Sequence, residues 1–129
     1  MSFESQTLGV LTGATEITDL VPAADIYFGT APFNADAPFI YCQKTFTDSG
    51  PTTDNGNAGT HRLDNIEMQV TVYQTTYAVT NALAQAVRTT LEGERTIRYI
   101  LKDQFSSFDD LPDLHGQILL FSAWYQSQT

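Results

Sequence analysis

From Ile66 to Tyr73 apolar and polar side chains alternate one for one, with Ile66, Met68, Val70 and Val72 set against Glu67, Gln69, Thr71 and Tyr73. A period of two predicts a strand with one buried and one wet face. Phe39 to Thr47 alternates in the same way, Ile40, Cys42 and Phe46 facing one side, although Lys44 interrupts that side. The two runs predict an antiparallel hairpin. After Thr75 or Thr76, either of which can cap an orphan amide, the period lengthens. Val79, Leu83, Ala86, Val87 and Leu91 recur at helical spacing, and Gly93 is placed to end the helix. In Arg95 to Phe105 the pattern sets Ile97, Tyr99, Leu101 and Phe105 opposite Arg98, Lys102 and Gln104. Gln117 to Tyr125 sets Leu119, Phe121, Ala123 and Tyr125 opposite Ile118, Leu120 and Trp124.

Shorter signals precede these. Phe3, Leu8 and Leu11 give a modest helical stripe from Ser2 to about Leu11, weakened by Gly9 and ended by Gly13. Thr15 to Pro22 reads as a turn or a single helical turn, and Asp25 to Gly29 as a short strand. The order of elements predicts an α+β fold: two layers, a mostly antiparallel sheet with helices packed on one face. Such a fold leaves the far face of the sheet, with Ile118, Leu120 and Trp124, either open to a partner or covered by the N-terminal segment.

Asp48 to Arg62 breaks the pattern. It holds no large apolar residue and is dominated by Gly, Pro, Asn and Asp, so residues 48–62 are expected to form a flexible loop. Ser106 to Pro112 is expected to be a second loop, carrying Asp109 and Asp110. No internal repeat or interdomain linker is visible, so residues 1–129 read as one domain, large enough to bury one core.

Charge narrows the function. Fifteen Asp and Glu stand against six Lys and Arg, a formal net charge of -9. That balance lacks the clustered cations that attract nucleic-acid phosphates or anionic membranes. One cysteine, Cys42, excludes a disulfide framework within the chain. The N-terminus lacks a signal-peptide pattern and no run reaches the ~18 apolar residues of a membrane span, so a cytoplasmic site of synthesis is expected.

The residues offer little chemistry. His61 and His115 have no Cys or His at ligand spacing, and Asp54-Asn55-Gly56-Asn57 lacks the alternation and closing glutamate of a calcium loop. No phosphate-binding glycine motif occurs. Cys42 with His61 as base is conceivable, but Cys42 falls on the apolar side of its strand. The Asp109–Asp110 and Glu92–Glu94 pairs fall at loop or helix ends. No enzyme activity and no cofactor or metal is expected.

Several stretches together resemble a known family. They are Ile26-Tyr27-Phe28-Gly29-Thr30-Ala31-Pro32, Ala37-Pro38-Phe39-Ile40-Tyr41, Met68 through Ala78, and Ala82 through Leu91. In this order they resemble the tail-completion, or tail-terminator, proteins of long-tailed bacteriophages. The resemblance implies a ring, usually of six subunits, that caps the tail tube, meets the head–tail connector and lets DNA pass. It implies partners: further copies of the chain, the tail tube protein and the connector protein, with no sequence-specific nucleic acid and no membrane. It implies a place at the head-proximal end of the virion tail after assembly in the host cytoplasm. Candidate interaction residues are Asp48, Asp54, Asn55, His61, Arg62, Glu67, Asp109, Asp110 and Trp124. Another connector or baseplate component, or a small cytoplasmic α+β enzyme, are the competing readings.

Overall fold

The computed structural model describes residues 2–29, 38–48, 61–95, 97–108 and 115–128. Helix α1 (Phe3–Thr12) begins at Ser2, whose hydroxyl accepts from the Ser5 amide while the Ser5 hydroxyl accepts from the Ser2 amide. This reciprocal pair satisfies two donors that a helix start leaves orphaned. A single turn, α2 (Thr15–Thr18), and a 3-10 turn (Ala23–Asp25) lead into β1 (Ile26–Phe28). Gly29 then leaves the strand at φ 88°, a left-handed conformation that glycine adopts without a side-chain clash. Strands β2 (Phe39–Asp48) and β3 (His61–Gln74) precede helix α3 (Tyr77–Glu92), and β4 (Arg98–Phe108) and β5 (His115–Gln128) follow it.

The fold is α+β, as the pattern predicts. The five strands lie in the order β1-β2-β3-β5-β4, every neighbouring pair antiparallel except β1 with β2. Because β5 runs antiparallel to both its neighbours, β3 and β4 are parallel to each other. With α3 they form a β-α-β unit whose gap is filled by β5.

Several boundaries differ from the expectation. His61 and Arg62 belong to β3, paired with Gln128 and Ser127, and Asp48 ends β2 opposite Asn65, so the ladder reaches into the expected loop from both sides. The β4 ladder continues through Phe108, into the second expected loop. His115, two residues ahead of the expected start of the last strand at Gln117, opens β5 opposite Gln74. Backbone pairing carries these strands past the point where apolar alternation fades.

All three helices pack on one face. There Ile40, Cys42, Met68, Val70, Val72, Leu119 and Phe121 meet Phe3, Leu11, Ile17, Leu83, Val87 and Leu91 in one buried cluster. The buried stripe of α3 is Thr80, Leu83, Ala84, Val87 and Leu91; the expected Val79 and Ala86 are half-buried at its flank. A polar side chain is tolerated at position 80 because its hydroxyl reaches the Thr76 carbonyl at 2.6 Å and the His115 carbonyl at 3.3 Å. Lys44, which interrupts the apolar side of β2, meets Glu4 of α1 at 2.9 Å. Both are partly exposed, so this pair contributes at most about 1 kcal/mol.

Deep in the same layer the Thr7 hydroxyl lies 2.7 Å from the Tyr99 hydroxyl. Replacing Thr7 by Val strands the phenol in an apolar site, and unfolding free energy should drop by about 1–3 kcal/mol. Adding Tyr99→Phe should recover much of that loss. A double-mutant cycle in urea checks this, and two independent, additive losses would contradict the bond.

Candidate functional site: the open sheet face

The opposite face of the sheet carries neither helix layer. Register defines it: Asn65, Glu67, Gln69, Thr71 and Tyr73 of β3 stand across from Trp124, Ser122, Leu120, Ile118 and Gly116 of β5. On the outer side of β5, Arg98 stands across from Trp124, Ile100 from Ser122 and Phe105 from Ile118. Tyr27, Phe39 and Tyr41 extend the face over β1 and β2. It is a mixed surface, aromatic at both flanks and polar in the middle.

Two bulges shape it. The β4 ladder shifts register between Leu101 and Asp103, so Phe105 moves from the core side, where alternation places it, to the open side. A bulge adds one residue to one strand and inverts the facing of everything beyond it. The β2 ladder shifts likewise between Lys44 and Phe46, so that the backbone of Phe46 pairs with that of Glu67. Phe105 thereby joins Ile100 and Trp124 at the β4–β5 flank, where three large apolar side chains stand in water: Ile100 44%, Phe105 45% and Trp124 43% exposed. At the other flank Phe39 stacks on Tyr73, centroids 4.6 Å apart, with Tyr27 at 6.5 Å. Between them Lys102, at the bulge, meets Glu67 at 2.8 Å beside a depression of about 300 Å³ that Thr45, Asp103 and Leu120 help to line.

Of the sequence-derived candidates, Glu67 and Trp124 come together on this face. Asp48, His61 and Arg62 are placed by their backbones at the end of β2 and the start of β3. Asp54, Asn55, Asp109 and Asp110 lie outside the described residues. Sequence reasoning missed Ile100, Phe105 and the Tyr27–Phe39–Tyr73 row. The aromatic content of both sides of β2 was a usable signal for the last.

Cys42 is fully buried, and burial pushes its thiol up to about 12, far from a reactive thiolate at neutral pH. It pairs with Val70, nine residues along β3 from His61, or roughly 30 Å at strand rise, so the two form no dyad. Among the described residues no three His, Cys, Asp or Glu gather to hold a metal, and no helix is long and apolar enough to cross a membrane.

Among the described residues, helices cover one face of the sheet and leave the other to side chains of mixed polarity. The fold is similar to that of a chain in a solved structure titled "Virion of native gene transfer agent (GTA) particle", with a TM-score of 0.63 at 16% identity. The match covers 98% of this chain and 96% of that one. No curated protein matches the chain. The family described as "Tail completion protein gp17" matches residues 7–126, and the chain belongs to it. It is a structural protein of a phage tail.

Proposed function

We propose that the chain is a tail-terminator subunit: a ring of copies, six in number, caps the tail tube, meets the head–tail connector and lets the genome pass. The observation that carries this reading is membership in the tail-completion family over residues 7–126. The open sheet face supports it, since a ring subunit must present surface to neighbours, tube and connector at once. Large apolar side chains exposed together at one flank suit such contacts. The role is non-enzymatic. The chain works as one domain, and the stretch from Asp48 to Arg62 is a contact element toward the tube or a neighbour. Asp54, Asn55, Asp109 and Asp110 add contact or charge at the assembly surface. Partners are other copies, the tail tube protein and the connector, in the host cytoplasm during assembly and at the head-proximal end of the tail afterwards. A net charge of -9 disfavours adhesion of moving DNA to the channel.

The test is to delete the gene from the genome that encodes it and examine the lysate by electron microscopy. Full heads beside separate tails are expected, with overlong tubes marking loss of length control. Normal-length unjoined tails would assign the chain to joining alone. A defect confined to the distal end would assign it to the baseplate, and intact infectious particles would refute an assembly role.

A further inference from the structure

We infer that each copy grips the next through two different surfaces: the Arg98–Ile100–Trp124 corner of the open sheet face on one copy, and the groove between α2 and α3 on its neighbour. The inference rests on the ring reading and adds to it the contact that joins subunits.

The corner is a cation framed by apolar side chains. Arg98 stands across from Trp124, and Ile100 follows on the same face of β4. Three of the six Lys and Arg in this acidic chain, Arg95, Arg98 and Lys102, fall within one eight-residue stretch. Lys44, Arg88 and Lys102 are held by Glu4, Glu92 and Glu67. Arg98 makes no ion pair among the described residues. Arg98 is therefore an exposed cation at this corner, available to a partner.

The groove is its complement in charge and in size. It is an open groove of about 570 Å³ on the solvent side of the helices, lined by Ala14, Ala82, Ala86 and Thr89, with Glu16 and Gln85. Small side chains there leave room for an inserted Ile or Trp. Glu16 is exposed, as is Asp19 at the end of α2, and neither makes an ion pair among the described residues. One surface thus offers bulk and an unmatched cation, the other space and unmatched carboxylates.

The two surfaces lie on opposite layers of the domain, so one copy cannot join its own. Pairing two open faces about a twofold axis would bring two cationic corners into one contact and leave Glu16 unanswered. A head-to-tail contact satisfies both, and head-to-tail contacts close into rings when the rotation per copy allows.

The experiment places Arg98→Glu and Glu16→Arg, singly and together, in the particle-producing genome and counts completed particles. Each single change should lower the count on the order of tenfold or more, because like charges then meet at the contact. The double variant should restore most of it, and so should co-expression of the two single variants, which can alternate around a ring. Singles that assemble normally, or a correctly folded double variant no better than either single, would overturn the contact. Purified particles carrying Ile100→Cys with Ala86→Cys give an independent readout. Oxidation should produce a ladder of linked chains that neither cysteine alone produces; Cys42, being fully buried, does not compete. Complete particles that contain the chain but give no ladder would overturn this contact while leaving the ring reading intact. Complete particles without the chain would overturn the ring reading itself.

Discussion

Replacing Phe121 by Ala is expected to lower the unfolding free energy by about 3–5 kcal/mol. Phe121 is fully buried on β5, the strand between β3 and β4, and meets Tyr99 edge-on at 6.5 Å. Its ring fills space between the sheet and α3 that backbone on both sides holds open. Removing it loses the transfer free energy of the ring and leaves a cavity that the ladders on either side prevent from collapsing. Domains of this size are stable by about 5–15 kcal/mol, so the change removes roughly a fifth of the total or more. Urea unfolding should show a lower midpoint at unchanged slope. A loss below about 1.5 kcal/mol would mean that the layers close over the gap and that this packing is not rigid.

Alkaline pH should unfold the protein well before its ordinary surface groups account for it. Cys42 rises from 9.0 to about 12 because burial disfavours the thiolate. Tyr99 rises from 10.0 to about 12, chiefly by burial, with the Thr7 hydrogen bond opposing and the charge of Glu94 reinforcing it. Both groups keep their proton in the folded chain at pH values where the unfolded chain releases it. Their contribution is therefore complete below about pH 9 and is lost as pH climbs toward about 12. At about 1.4 kcal/mol per unit, Cys42 accounts for roughly 4 kcal/mol and Tyr99 for roughly 3, together comparable with the whole stability. Urea midpoints should fall steeply between about pH 9 and 12, and Cys42→Ala should flatten that fall. A flat profile through this window would show that neither group is shielded as the packing implies.

The local elements were legible because each rests on short-range periodicity. The strand around Ile66 to Tyr73 and the helix ended at Gly93 follow from period two and period 3.6 read over a few residues. What escaped is set by pairing between distant segments. Nothing near Phe105 announces the bulge that turns it outward, because bulging depends on how β4 meets β5. Ile100, between Arg98 and Lys102, reads as part of a wet side, and only the uncovered sheet makes it a candidate contact. Thr80 looks polar in sequence and is buried because Thr76 and His115 answer its hydroxyl. The far face was visible in Ile118, Leu120 and Trp124. That α1 joins α3 instead of covering that face depends on Phe3 finding Phe28, Tyr99 and Tyr125 on the other side.

The strand that fills the gap between β3 and β4 is also the one the ribosome makes last among those described. All fourteen residues of β3 pair with β5, across a stretch of chain that includes α3 and β4. During translation β3, α3 and β4 must wait with two unsatisfied edges facing each other until β5 clears the exit tunnel. Native sheet closure thus waits for β5, and a nascent chain stalled before His115 leaves two open strand edges of the kind that invite wrong pairing.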